Sequence, residues 1–198
     1  MIPFLESAVS SIRDGGLLCA TCTDTRVTCG PDLHKCSYFY GTTRAKVHCF
    51  QENALRIVLN CINSTANRHS RYVEPLLAVQ TEFYLRVFVR IHRSKTECAK
   101  STLKTGNVYN CNSCGNYYWQ PFFSEKKNKI GPSKLELPSE KCDICREPWY
   151  FNGPIWLANI NNHEFCEQLF SSLKTEQFNK LKTNRKIYGM LHAILQEK

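Results

Sequence analysis

The spacing of apolar and polar residues along the chain predicts both helices and strands. Residues 2–12 and 52–66 place apolar side chains at helical spacing, so each is predicted to form an amphipathic helix. Residues 83–92 alternate between apolar and polar side chains, which is the period of a β-strand. Two continuous apolar runs, residues 16–21 and 73–79, predict buried strands, and residues 16–21 are expected to lie in a parallel sheet.

The remaining segments carry weaker signals. Residues 29–50 are predicted to be irregular, residues 95–104 to be a linker or short helix, and residues 126–138 to be a loop. Residues 117–119 predict a strand. Asn162 is a candidate N-cap for a helix over residues 164–173, and residues 177–195 predict one or two further helices.

The polar face of residues 83–92 mixes arginine with aromatic side chains, a combination typical of RNA phosphate contact and base stacking. Arg86 and Arg90 are the charged members of that face. The alternative is a half-exposed strand whose arginines lie over neighbouring helices with their charged ends in water.

Composition narrows the possible partners. The chain has 198 residues and a formal net charge of +9, which favours a polyanion such as nucleic acid. No apolar run reaches the roughly eighteen residues of a membrane span, and the start of the chain lacks the pattern of a secretory signal. With 12 cysteines, the chain is therefore expected in a reducing intracellular compartment, and nucleus, cytoplasm and mitochondrion are not distinguished.

Two Cys-x-x-Cys pairs give the most specific chemical signal in the chain. Cys111 with Cys114, and Cys142 with Cys145, have the spacing of a four-thiolate zinc site. Four unrelated buried thiols or two disulfides are the alternatives. Because four thiolates would fill the coordination sphere of Zn²⁺, the metal is expected to be structural rather than catalytic.

A third pair, Cys19 with Cys22, lies at the end of the predicted strand over residues 16–21. A redox dithiol would be expected at a helix N-terminus, where the thiolate is stabilised, so a buried thiol is the favoured interpretation and a redox pair the alternative. The sequence shows no Ser-His-Asp order, Walker loop or Gly-x-Gly-x-x-Gly motif. On spacing alone, no catalytic machinery is identified.

A series of short blocks carries a family resemblance. It begins with Asp-Gly-Gly-Leu-Leu-Cys at residues 14–19 and Thr-Cys-Thr-Asp at residues 21–24, and continues with Tyr-Gly at 40–41 and Ala-Leu-Arg-Ile at 54–57. Asn-Arg at 67–68, Arg-Tyr at 71–72, the alternating run at 83–90, the paired cysteines and Gly-Pro-Ile-Trp at 153–156 complete it. Together, over most of residues 3–170, these blocks resemble the tRNA guanine-26 dimethyltransferases, which use S-adenosylmethionine to methylate the exocyclic amine of one guanine.

The resemblance implies an α/β fold with two parts. Residues 1–93 are expected to be the last helix and strands of a Rossmann-like methyltransferase sheet. Residues 94–198 are expected to form an α+β domain that carries the structural zinc and binds tRNA. Within this arrangement, the RNA-binding residues are predicted to include Arg86, Arg90, Lys100 and Lys104.

The resemblance also implies where the chemistry lies. The family's methyl-donor fingerprint and its acidic-Pro-aromatic catalytic motif precede the block that begins at Pro3. No catalytic or donor-binding residue is therefore assigned in this chain, and the chain alone is expected to be inactive. The alternative function is a zinc-ribbon RNA-binding or scaffold protein that does not catalyse a reaction.

Overall fold

The computed structural model describes residues 1–136, 139–175, 178 and 180–197, and most of its elements surround one long helix. This helix, α4, spans Phe50–Arg68, close to the prediction of residues 52–66. Ala54, Ile57, Val58 and Ile62 are almost fully buried along it. Helix α4 packs against strands from both of the larger sheets, so its predicted apolar stripe forms the middle of the core.

The first sheet consists of β1 (Gly16–Cys22), β2 (Arg71–Thr81) and β3 (Tyr84–Arg93), in the order β1-β3-β2. Both of its pairings are antiparallel, so the expectation of a parallel neighbour for residues 16–21 is wrong. The reason is that β2 turns tightly at Glu82 into β3, and β3 then takes the place beside β1. The expectation of a buried strand is also wrong for one face of β1, since Leu17 is 52% exposed and Cys19 is exposed as well.

The alternation predicted for residues 83–92 is confirmed. Leu85, Val87, Val89 and Ile91 are buried on one face of β3. Helix α1 (Ile2–Ser11) also forms where predicted and buries Leu5 and Val9 in the same core. Its Phe4 side chain is 76% exposed and lies outside the buried stripe.

The second sheet contains β4 (Thr105–Asn110), β5 (Tyr117–Pro121) and β8 (Tyr150–Trp156), in the order β5-β4-β8. Between β5 and β8 lies an antiparallel hairpin of β6 (Phe123–Lys126) and β7 (Lys129–Pro132). The prediction of a loop over residues 126–138 is therefore wrong for the strand residues, and Leu137 and Pro138 lie outside the described residues. Lys127 and Asn128 form the turn with φ of 50° and 60°, the geometry of a two-residue hairpin turn.

The other helices connect these sheets. Helix α2 (Thr25–Thr28) precedes the segment predicted to be irregular. Helix α3 (Leu33–Tyr40) lies inside that segment, so the prediction for residues 29–50 is wrong over α3. Helix α5 (Lys95–Ser101) continues into a 3₁₀ turn over Thr102–Lys104. Helix α6 (His163–Ser172) is capped as predicted, since the Asn162 side chain accepts a hydrogen bond from the Phe165 N–H at 3.0 Å.

The last described helix, α7, spans Asn184–Gln196 and ends one residue beyond the predicted range of 177–195. Gln177 and Asn179 of that range lie outside the described residues. Helices α6 and α7 pack together over a small second core of Cys166, Leu173 and Leu191. Among the helices of the described ranges, none has the length and apolar composition needed to cross a lipid bilayer.

A row of polar side chains on α4 holds strand β8. Asn53, Arg56 and Asn60 lie three and four residues apart and so share one side of the helix. The Asn53 side chain forms a buried amide pair with Asn152. The Arg56 Nη1 donates to the carbonyl oxygens of Trp156 at 3.0 Å and of Ala158 at 2.9 Å.

The Asn60 side chain continues this row by donating to the Pro154 carbonyl oxygen at 3.1 Å. Further along the helix, the Asn67 amide bonds to the Ser101 hydroxyl at 2.8 Å. Ile155 and Trp156 of β8 are buried in the same core as α1 and β3. The polar contacts of α4 therefore bind the second sheet to the core formed by the first.

The buried amide pair generates a stability prediction. Substituting Asn53→Leu alone leaves the Asn152 amide buried without its partner, which is expected to cost about 1–3 kcal/mol. The double substitution Asn53→Leu with Asn152→Leu removes both polar groups and is expected to be less destabilised than the sum of the two single variants. Urea unfolding of the two single variants and of the double variant measures this coupling. A double variant whose loss equals that sum would show that the amides do not depend on each other.

Candidate functional site

The first Cys-x-x-Cys pair forms a tight turn between β4 and β5. The Cys111 carbonyl accepts from the Gly115 N–H at 3.0 Å, and the Cys111 N–H donates to the Asn116 carbonyl at 2.8 Å. Gly115 has φ of 78°, a left-handed conformation that glycine adopts without steric cost. This turn, which we call the first knuckle (residues 111–116), brings the side chains of Cys111 and Cys114 to the same side.

The second pair repeats the same hydrogen bonds. The Cys142 carbonyl accepts from the Arg146 N–H at 2.8 Å, and the Cys142 N–H donates to the Glu147 carbonyl at 2.9 Å. Arg146 has φ of 64° and occupies the position that Gly115 holds in the first turn. Residues 142–147 are therefore a second knuckle with the same backbone design, although no glycine marks it in the sequence.

The two knuckles bring all four predicted sulfur atoms together. The Sγ atoms of Cys111, Cys114, Cys142 and Cys145 all lie within 4.8 Å of one another. The Cys111–Cys145 and Cys114–Cys142 separations are 3.3 Å and 3.6 Å. A tetrahedral ion with sulfur ligands at about 2.3 Å requires sulfur atoms about 3.8 Å apart. A disulfide requires about 2.05 Å, so the cluster fits a zinc ion better than two disulfides.

Hydrogen bonds at the sulfur atoms favour thiolate at two positions. The Cys114 N–H donates to the Cys111 sulfur and lowers the pKa of that thiol. Burial raises the pKa of Cys142, but the N–H groups of Cys145 and Ile144 outweigh it and lower this pKa to about 6. Because thiolate is the form that binds metal, the backbone of each knuckle prepares one sulfur as a ligand.

The first knuckle also touches the segment that leads into α4. The His48 Nε2 lies 3.2 Å from the Asn112 carbonyl oxygen. The Asn110 amide donates to the Lys46 carbonyl at 3.0 Å. The four-cysteine cluster is thus attached both to the second sheet and to the segment that leads into the central helix.

The predicted RNA-binding arginines lie on β3 and have partners within the chain. The Arg86 Nε donates to the Thr21 hydroxyl at 3.1 Å, and its guanidinium lies 5.1 Å from the centre of the Tyr84 ring. The Arg90 Nη1 lies 4.0 Å from the Glu74 carboxylate. The arginine and aromatic face of β3 also forms one wall of a cleft of about 440 Å³, and α6 and α7 form the opposite wall.

The predicted lysines lie on the next segment of the chain. The Lys100 Nζ forms an ion pair with Glu97 at 2.8 Å. The Lys104 Nζ lies 5.7 Å from the centre of the Trp156 ring. The four predicted residues are therefore divided between a strand and a helical segment, and their contact with RNA stays a prediction.

The Cys19–Cys22 pair does not have the geometry of a redox site. Cys19 is exposed, whereas Cys22 is buried and its Sγ lies 3.0 Å from the Tyr40 hydroxyl. That hydroxyl donates to the Asp24 carboxylate at 2.8 Å, so the Cys22 thiol is the donor to Tyr40. Burial raises the pKa of Cys22, which opposes thiolate chemistry. Sequence reasoning missed Tyr40, because the contact joins residues from β1 and α3.

Comparisons with known proteins identify a family for this chain. The profile of a family described as N2,N2-dimethylguanosine tRNA methyltransferase matches residues 1–198. A tRNA (guanine(26)-N(2))-dimethyltransferase from Drosophila melanogaster is 34% identical and covers 98% of this chain and 35% of its own length. The mitochondrial enzyme of that name from Saccharomyces cerevisiae is 34% identical, again over 98% of this chain but 37% of its own length.

A solved structure shows the same fold. Trm1 from Pyrococcus horikoshii, in complex with S-adenosyl-L-methionine, superposes with a TM-score of 0.79 at 19% sequence identity. The superposition covers 100% of this chain and 47% of that protein. The chain spans about a third of the length of the curated relatives it matches. On its match over residues 1–198, the chain belongs to the N2,N2-dimethylguanosine tRNA methyltransferase family.

Proposed function

We propose that this chain is the zinc-bearing, tRNA-holding portion of a tRNA guanine-26 N2-dimethyltransferase. The observation that carries the proposal is the family match over residues 1–198, joined to relatives that bear this name. Within it, residues 1–93 complete the methyltransferase domain and residues 94–198 form the C-terminal tRNA-binding domain. S-adenosylmethionine would supply an electrophilic sulfonium methyl for attack by the guanine amine, a reaction helped mainly by positioning.

Two observations support the proposal that the first sheet is the end of a Rossmann-like sheet. Strands β1 and β2 run in the same direction, since each is antiparallel to the strand β3 between them. One edge of β1 pairs with no other strand of the described residues, and Leu17 is exposed there. We infer that further strands of a methyltransferase sheet continue from this edge.

The four cysteines are proposed to hold one structural Zn²⁺. Cys111, Cys114, Cys142 and Cys145 supply four sulfur ligands, which leave no coordination position for a substrate. Their role is to clamp the knuckles and so fix the second sheet against α4. We propose that tRNA is then held by basic side chains, among them Arg86, Arg90, Lys100 and Lys104.

The zinc assignment predicts a specific loss of metal. Purified chain is expected to carry one zinc, and Cys114→Ser is expected to lose it and to unfold the region around residues 107–160, because about thirty residues are closed into a loop by the ion. Cys19→Ser is the matched control, since Cys19 is also an exposed member of a Cys-x-x-Cys pair. Elemental analysis and circular dichroism measure both effects. If Cys114→Ser kept its full zinc content while Cys19→Ser lost zinc, the assignment of the metal site to Cys111, Cys114, Cys142 and Cys145 would be wrong.

The proposed tRNA contact predicts a strong dependence on salt. Each neutralised phosphate contributes about 0.7 to 0.9 to the slope of log affinity against log salt. Arg86→Glu with Arg90→Glu is expected to weaken tRNA binding and reduce that slope. Arg13→Glu with Arg26→Glu makes the same charge change at two exposed positions outside the predicted surface. Equal affinity for the β3 variant and the unaltered chain would assign Arg86 and Arg90 a structural role only.

The activity of the chain alone gives a further prediction. Incubation of the purified chain with labelled S-adenosylmethionine and unmodified tRNA is expected to give no methyl transfer, because the family's donor-binding and acidic motifs are expected before Pro3. The full-length Drosophila relative serves as the positive control for the assay. Robust turnover by this chain would show that the residues described here already form a donor site.

A further inference from the structure

The hairpin of β6 and β7 presents a cluster of positive charge that no residue assignment above uses. Lys126 and Lys129 end the two strands and face each other as a directly opposed pair, and Lys127 lies in the turn between them. All three side chains are exposed. We call these three residues the lysine tip.

The lysine tip is unfavourable for the hairpin by itself. Like charges placed directly opposite each other on two strands destabilise the pairing. Strand alternation points the neighbouring Glu125 to the other face of the ribbon, where it is paired with Ile130. Within the described ranges, no carboxylate forms a salt bridge with any of the three lysines.

This distinguishes the lysine tip from the residues first predicted to bind RNA. Arg90 and Lys100 have carboxylate neighbours, while Arg86 and Lys104 lie over aromatic rings. Those four charges are at least partly engaged within the chain. The three charges of the tip repel one another, and their repulsion would be relieved by an external anion.

The base of the hairpin is fixed to the second sheet. The Phe122 N–H donates to the Thr105 carbonyl at 3.1 Å, and the Ser133 N–H donates to the Phe122 carbonyl at 2.9 Å. The turn at Lys127 and Asn128 has φ of 50° and 60°, which suits the right-handed twist of a two-residue hairpin. The lysines are therefore held on an ordered two-stranded arm rather than on a flexible loop.

We propose that the lysine tip binds the phosphate backbone of the RNA substrate. The proposal rests on the proposed tRNA function and names a contact surface within it. Lysine ammonium groups act as point charges for phosphate and read no base, which suits a residue that positions an RNA by its backbone. The narrow major groove of A-form RNA is bordered by phosphates, so a thin two-stranded arm is a suitable shape for contact there.

The test compares tRNA binding by the full chain and by Lys126→Gln/Lys127→Gln/Lys129→Gln. The triple variant is expected to reduce the slope of log affinity against log salt by about two to three and to weaken binding about tenfold, equally for tRNAs of different sequence. Because the charges repel one another, thermal stability is expected to be unchanged or slightly higher, and zinc content is expected to be unchanged. Lys126→Arg/Lys127→Arg/Lys129→Arg is expected to keep most of the affinity.

A charge-matched control separates a local contact from general electrostatics. Lys180→Gln/Lys182→Gln/Arg185→Gln also removes three exposed charges, and it is expected to change the slope less. Equal losses in the two triple variants, or no loss at the tip, would overturn the assignment while leaving tRNA binding in place. If the unaltered chain bound no tRNA at low salt, the proposed function and this inference would fall together. Unchanged tRNA affinity with lost binding to phosphatidylserine vesicles would assign the tip to a membrane surface instead.

Discussion

The hydrogen bonds between helix α4 and the backbone of β8 are the interaction on which the rest of the structure depends. The Arg56 guanidinium bonds to the carbonyls of the last residue of β8 and of Ala158, which follows the strand. Asn53 and Asn60 bond to residues earlier in the same strand. Asn53, Asn60 and Asn152 are buried, and each would be costly without its partner. The same helix buries its apolar side against the first sheet. One helix therefore joins two sheets: apolar packing holds the first, and the second is held by hydrogen bonds in addition to the burial of Ile155 and Trp156.

The cysteine cluster performs a related task where apolar packing is weak. Cys111 and Cys142 are fully buried, but the neighbouring aromatic residues Tyr117, Tyr150 and Phe151 are between 39% and 56% exposed. Little hydrophobic core is present at that end of the second sheet to fix the knuckles. The proposed zinc ion would supply the missing cohesion, as metals commonly do in small units with limited apolar area. The contacts of His48 and Asn110 then connect this end to α4.

Local signals in the sequence predicted much of this arrangement, and non-local pairings account for the differences. The periods of α4 and β3 and the cysteine spacing depend on neighbours within a few residues, and all three features occur where expected. The partner of β1 could not be found this way, because its apolar run fits a parallel or an antiparallel neighbour equally well. The β6–β7 hairpin was missed because its strands are short and its turn contains lysine and asparagine rather than glycine. From the sequence alone, the asparagines of α4 would be assigned to a solvent-facing side of the helix. Only the pairing with β8 shows that they are buried.

The two knuckles have the same hydrogen bonds but different tolerance for sequence change. A side chain at Gly115 would meet the His48 ring at 3.2 Å, and φ of 78° adds a conformational cost, so both packing and backbone require glycine there. At Arg146 the left-handed conformation is kept by an exposed residue with a long side chain. A left-handed residue other than glycine costs roughly 1–2 kcal/mol. The two hydrogen bonds of the second knuckle, from Arg146 N–H to Cys142 and from Cys142 N–H to Glu147, hold Arg146 in this conformation. A sequence search that requires a glycine after each Cys-x-x-Cys pair would therefore find the first knuckle and miss the second.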